Sequence, residues 1–246
     1  MQSSTPSILH NLIDNDVTTG FIIVVGPPGA GKTILLNKLM YDRLSMGKKV
    51  VYMCTSNSPR RIINRMAVFG WDVVPYLEDG MLRFVDSYSG LTIKYEKKDK
   101  MPELMKYIVP DPWDSNLSGS ILGKALNEID ADRLVIDTLT SLVHRFGDEA
   151  ATKFITVFST KIKAKGIGIS TLTSGGQSNI FENYMKSISD GIIELRLEDS
   201  HLGLDRYLRV YQMKESTHDS KWHQFILNED GVAFMQDPAN RLPKAL

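Results

Sequence analysis

The stretch FIIVVGPPGAGKT, Phe21 to Thr33, runs through several kinds of sequence without a gap. Phe21–Val25 is wholly apolar, the pattern of a short strand buried on both faces of a parallel sheet. Gly26–Thr33, GPPGAGKT, matches G-x-x-x-x-G-K-[ST]. From Lys32 to Met46 the pattern is helical, with Ile34, Leu35, Leu39 and Leu44 available for burial and Gly47 placed to end it. Strand, glycine loop and helix in that order make a cradle for phosphate. Glycines let the backbone N–H groups converge on phosphate oxygens, and the helix N-terminus adds a favourable dipole. The residues expected to line the cradle are Gly26, Pro27, Pro28, Gly29, Ala30, Gly31, Lys32, Thr33 and Ile34. Lys32 would reach the β- and γ-phosphates as a point charge, and the Thr33 hydroxyl would bind Mg²⁺.

Such a site needs a carboxylate for the magnesium, at the tip of a buried strand. RLVIDT supplies Asp137 after Leu134, Val135 and Ile136. Elsewhere, apolar runs alternate with helical patterns, so the fold class is α/β with a mainly parallel sheet. VVYMC is a strand from Val50, followed by a helix that Ser58 caps, Pro59 opens and Gly70 ends. Met81–Asp86 and Ile167–Thr171 read as further strands, and Asp148 to Lys165 as a helix. Residues 87–117 are rich in charge and proline and read as an excursion within one domain spanning residues 1–246. The tail changes character. GIIELRLE alternates strictly, and RYLRVYQM and WHQFILNEDGVAFM follow, so residues 191–236 read as antiparallel hairpins.

Composition narrows the function. Lys plus Arg and Asp plus Glu both number 29, a net charge of zero, which removes the strong positive field expected of many nucleic-acid binders. One cysteine, Cys54, excludes an internal disulfide and favours a reducing compartment. The N-terminus lacks the pattern of a signal peptide, and no window nears the roughly 18 apolar residues of a membrane span, so a cytoplasmic protein is expected. Arg60, Arg61 and Arg65, with Lys97, Lys98 and Lys100, read as a solvated face rather than a DNA site. Thr173–Lys186 carries one glutamate, one lysine and two aromatics, without a cationic track for a phosphate backbone.

With the cradle and Asp137 in place, the later residues carry a resemblance over roughly Ile8 to Met235. The chain resembles the single-domain, KaiC-like branch of the RecA/RadA superfamily of P-loop ATPases. VVYMCTSNSPRRIINRMAVFGWDV is similar to the family's strand and helix closing in Gly70-Trp71-Asp72, and SISDGIIELRLE and RYLRVYQMKESTH are similar to its C-terminal hairpin. The resemblance implies a RecA-like core, ATP with Mg²⁺, and a homo-oligomeric ring or filament with nucleotide at subunit interfaces. Thr173–Lys186 matches the place of a mobile loop, and Thr171, Thr173 and Ser174 at the strand end would either sense the γ-phosphate or only cap that loop.

The departures from the family decide what to expect of the chemistry. A pair of glutamates usually ends the second strand, one polarising the attacking water; Ser56 and Asn57 stand there. Other P-loop enzymes put a glutamate directly after the magnesium aspartate; Thr138 stands there. Neither hydroxyl nor amide takes a proton from water near neutral pH, so Asn57 can orient a water at best. The family's Lys-x-Arg, which reaches a neighbour's γ-phosphate, is matched by Gln212 and Lys214, with Glu215 in place of a glycine. LIDNDVTTG keeps little of the glycine-rich leader. The expectation is an ATP-binding switch with weak or absent hydrolysis that acts through protein partners. The alternatives are a recombinase paralogue and a phosphotransferase acting on a protein hydroxyl.

Overall fold

The computed structural model describes residues 18–91, 102–201, 203–229 and 231–235. A single nine-stranded sheet organises them, in the order β3-β2-β4-β5-β1-β6-β7-β8-β9. β1 (Gly20–Gly26), β2 (Val50–Cys54), β3 (Leu82–Asp86), β4 (Arg133–Asp137) and β5 (Ile167–Thr173) are parallel neighbours. β6 (Gly191–Ser200) also joins β1 in parallel and then turns back. From there β7 (Gly203–Met213), β8 (His223–Asn228) and β9 (Gly231–Phe234) pair antiparallel.

Pleating explains the apolar strands. In β1, Ile22 and Val24 enter one core, with Leu35, Leu39, Ile62 and Phe84. Phe21, Ile23 and Val25 enter the other, with Leu142, Phe158 and Met185. Successive side chains point to opposite faces, so a strand covered on both sides has no polar positions to spare. α1 (Lys32–Ser45) and α2 (Pro59–Val68) supply the first core; α4 (Ser115–Glu128), α5 (Leu139–Lys163) and α6 (Asn179–Ile188) supply the second, and a short α3 (Val74–Glu78) precedes β3. The strict alternation of β6 has the complementary cause. Ile193 and Leu195 are buried in the first core, whereas Glu194 and Arg196 lie on the other face, paired across to Arg209 and Tyr207.

Several boundaries differ from the sequence reading. The helix expected from Asp148 begins at Leu139 and runs to Lys163, broken at Gly147, whose φ of 76° and ψ of 166° are not helical. Of the excursion at residues 87–117, the described part holds short 3₁₀ turns at Ser89–Leu91 and Pro102–Met105, and Ser115 already opens α4. The segment Thr173–Lys186 is not a loop throughout: after a turn, Ser178 caps α6, whose Phe181 and Met185 are buried. The leader before Thr18, and Lys97, Lys98 and Lys100, fall outside the described residues. Among the described residues no helix is long and apolar enough to cross a membrane.

Candidate functional site

The glycine loop leaves β1 at the carboxyl end of the parallel strands, where ligands bind in open α/β sheets. Its register puts Gly26 beside Thr173 of β5, and the Ser174 N–H donates to the Gly26 carbonyl at 3.1 Å. Gly29 and Gly31 take φ of 80° and 97°, left-handed values that other residues adopt only under strain. Gly31 is also the N-cap of α1. It offers no side chain, and no acidic residue stands in the first turn. In contrast, α2, α4 and α6 are capped by Ser58, Asp114 and Ser178. α3 and α5 also lack a side-chain cap, but the open end of α1 has the glycine loop folded around it, and its amides fit an anion.

Lys32 Nζ donates to the carbonyls of Gly26 and Pro27, both at 2.8 Å. Burial pushes its ammonium below the ordinary lysine value, while the Asp137 charge pulls the other way. A phosphate would give this half-buried cation the close anionic partner that carbonyl dipoles replace only in part.

Thr33 Oγ1 donates to Asp137 Oδ2 at 3.1 Å, with Oδ1 at 3.3 Å, so its one proton is engaged and its lone pairs remain free. A hydroxyl that holds a cation must be arranged in this way. Asp137 is 2 % exposed and also accepts from Thr171 Oγ1 at 2.6 Å and from Tyr52 OH at 3.5 Å. Burial raises its carboxyl above the ordinary range; the hydroxyls of Thr171 and Thr33 oppose that, as does the charge of Arg65. The residues present therefore fit a magnesium–triphosphate group: backbone amides and Lys32 for the phosphates, Thr33 and Asp137 for the cation. That group would supply the cationic charge that holds the β- and γ-phosphates in place.

The strand tips around the cradle are occupied otherwise. Ser56 Oγ donates to the Asp137 carbonyl at 3.4 Å, and Asn57 Nδ2 donates to Ser56 Oγ at 3.2 Å. Thr138, whose peptide bond to Asp137 is cis, donates from Oγ1 to the Thr171 carbonyl at 2.8 Å. Thr55 Oγ1 donates to the Thr138 carbonyl at 2.9 Å. Two carboxylates end β3 and β4. Asp86 Oδ1 accepts the N–H groups of Tyr88 and Ser89, at 3.0 and 2.8 Å, while Asp137 is held by hydroxyls.

Sequence reasoning missed several residues that shape this rim. Arg145 of α5 donates to the carbonyls of Thr55 and Ser87, clamping the ends of β2 and β3. Thr140 Oγ1 accepts the Thr173 N–H at 3.0 Å and donates to Gln177 Oε1 at 3.1 Å; Gln177 Nε2 in turn reaches Glu182 at 2.9 Å. Only long-range geometry reveals them, because each joins segments far apart in the chain. Lys214 is not brought to the cradle. Its Nζ lies 3.5 Å from Asp190, which also binds Lys163 at 2.8 Å and the Phe21 N–H at 2.9 Å. That places Lys214 at the start of β1, whose length of 7 residues puts it about 20 Å from the loop. Gln212 is nearby, donating to the Ser189 carbonyl at 3.2 Å.

An α/β sheet with a phosphate loop at β1 and an aspartate at the tip of β4 defines a P-loop protein of RecA-like fold. The family model for the KaiC ATPase matches residues 14–239, and the chain belongs to that family. It is similar to a UPF0273 protein of Pyrococcus horikoshii, 29 % identical over 229 residues that cover 92 % of this chain and 89 % of that one. A UPF0273 protein of Thermotoga maritima is likewise 29 % identical over 229 residues, covering 92 % and 90 %. Among solved structures, a KaiC-like protein of Pyrococcus horikoshii superposes with a TM-score of 0.73 at 21 % identity, covering 96 % of this chain and 98 % of that one. At that identity the likeness speaks for the fold alone.

Proposed function

We propose that the protein is an ATP-binding switch that holds Mg-ATP in the Gly26–Thr33 cradle, hydrolyses it feebly or not at all, and acts through protein partners. One observation carries the reading: an open, uncapped cradle with Lys32 and Thr33 in place stands beside strand tips where Ser56 donates to the Asp137 carbonyl, Asn57 to the Ser56 hydroxyl and Thr138 to the Thr171 carbonyl. Loss of a general base typically lowers a rate by about 10²–10⁴-fold. Binding energy is then left to do conformational work. The strand ends that feel the cradle are those of β4 and β5, through Asp137, Thr171 and Ser174.

Assembly into a ring or filament belongs to the same proposal. Lys214 cannot serve its own cradle from the far end of the sheet, so any phosphate contact it makes would be to a neighbouring copy's nucleotide. Titrating the protein with ATP, with and without Mg²⁺, while recording released phosphate and particle size tests the reading. Saturable binding with little phosphate supports it. No affinity for ATP overturns the first half, and turnover at an ordinary enzyme rate overturns the second.

A further inference from the structure

Tyr52 lies in the middle of β2, fully buried against Phe84, with ring centroids 5.5 Å apart. A position that needed only volume would be served by phenylalanine, because a buried hydroxyl must find a partner or lose its hydration for nothing. The Tyr52 hydroxyl has one proton and faces two acceptors: Asn37 Oδ1 of α1 at 3.1 Å and Asp137 Oδ2 of β4 at 3.5 Å. Asn37 is 1 % exposed, and its Nδ2 has no partner. Burial, reinforced by the nearby Asp137 charge, pushes the phenol well above its ordinary value, so Tyr52 stays a donor.

The oxygens of Asp137 divide the labour. Oδ1 is held mainly by Thr171 at 2.6 Å, with Thr33 Oγ1 farther off at 3.3 Å. Oδ2 has Thr33 and Tyr52, so on that side Tyr52 is the contact that comes from beneath the carboxylate rather than from the cradle. Asn37 stands one helical turn beyond Thr33 on α1. Tyr52 therefore touches both the phosphate helix and the metal carboxylate without facing the phosphates.

We propose that Tyr52 is a positioning residue for the magnesium side of the site: its hydroxyl, shared between Asn37 and Asp137, fixes the Asp137 carboxylate opposite Thr33 and so sets magnesium affinity. The two acceptors compete for one proton, so Asn37 weakens the hold of Tyr52 on Asp137, and removing Asn37 releases the proton to the carboxylate. The inference rests on the Mg-ATP reading given above.

The test compares wild type, Tyr52→Phe and Asn37→Leu. ATP affinity is measured by calorimetry in EDTA, and the magnesium midpoint at fixed ATP by titration with Mg²⁺. Outer partners of metal ligands typically change affinity by about 10–100-fold, so Tyr52→Phe should raise the magnesium midpoint about tenfold while leaving ATP affinity in EDTA unchanged. Asn37→Leu should lower the midpoint. An unchanged midpoint in Tyr52→Phe overturns the inference, as does a loss of ATP affinity in EDTA by the same factor, the mark of a merely structural role. If Tyr52→Phe does not fold, Asn37→Leu decides: a raised or unchanged midpoint overturns the inference, a lowered one supports it. Wild type that binds no ATP, or binds it without regard to Mg²⁺, overturns the Mg-ATP reading itself, an outcome separate from failure of the Tyr52 brace alone.

Discussion

Asn57→Glu puts a carboxylate back at the tip of β2, where the resemblance locates the residue that polarises water. The cost of the change is small by structure. Asn57 gives up one side-chain bond, to Ser56 Oγ at 3.2 Å, and Ser56 is itself tied to the Asp137 carbonyl only at 3.4 Å. Bonds of that length fall at or below the ordinary net value of about 0.5–1.5 kcal/mol, and Asn57 is only half-buried. The gain is set by the chemistry. A positioned base lowers the barrier by about 3–5 kcal/mol, equivalent to 10²–10⁴-fold. The rest of the rim was not arranged around a water, so the lower end, about 10²-fold, is expected. The assay is steady-state phosphate release with Mg-ATP, alongside ATP affinity and with Lys32→Ala as background. An Asn57→Glu protein that binds ATP as wild type does yet releases phosphate no faster would refute the argument that the missing acid limits turnover.

Further expectations concern the frame around the site. Arg145→Lys should destabilise the fold by about 2–3 kcal/mol in denaturant titration, since an ammonium cannot bridge the Thr55 and Ser87 carbonyls as a guanidinium fork does. Gly231→Ala should lower the melting temperature by about 4–10 °C. Gly231 has φ of 102°, and a Cβ there would lie 2.1 Å from Trp71 Cζ2, an overlap worth about 2 kcal/mol or more in a chain of this size. Asp190 gives a pH signature. Burial would raise its carboxyl, but the bonds from Lys163 and the Phe21 N–H and the Lys214 charge outweigh that and hold it below the ordinary range. A depressed carboxyl contributes stability that is complete above the unfolded value of about 3.9 and lost as pH falls through the lower folded one. Asp190→Asn should therefore melt below wild type at pH 5 to 7, and the difference should shrink below about pH 4.

What could be read from the sequence was local. Phe21–Val25, Arg133–Asp137 and the Lys32 helix are each specified by residues adjacent in the chain, and their observed bounds lie within about two residues of the reading. Ser58 and Pro59 open α2 as their chemistry predicts, with Ser58 accepting from the Arg61 N–H. α4 went unread because Ser118, Gly119, Ser120 and Gly123 dilute its apolar stripe and suggest a loop. The first turns of α5 were hidden by Gly147, which breaks the helix in two, and by the β-branched Thr138, Thr140 and Val143 among them. Family analogy puts a loop where α6 stands, although Ser178 and Glu182 mark its start. The cradle was legible as a contiguous motif. The Thr33, Asp137, Thr171 and Tyr52 cluster was legible only in part, because the sheet order that juxtaposes β1, β4, β5 and β2 leaves no local periodicity.

The proposed switch depends on tight retention of a triphosphate by a site without a general base to break it. Its most direct test mixes the protein with an equal amount of Mg-ATP and follows the bound nucleotide over time, with Lys32→Ala in parallel. Against a typical enzyme rate of about 10 s⁻¹, a site without a general base predicts ADP formation at about 10⁻¹ s⁻¹ or slower, with most of the nucleotide still ATP after roughly 1 s and none retained by Lys32→Ala. Conversion by the wild type at about 10 s⁻¹, abolished in Lys32→Ala, would contradict it.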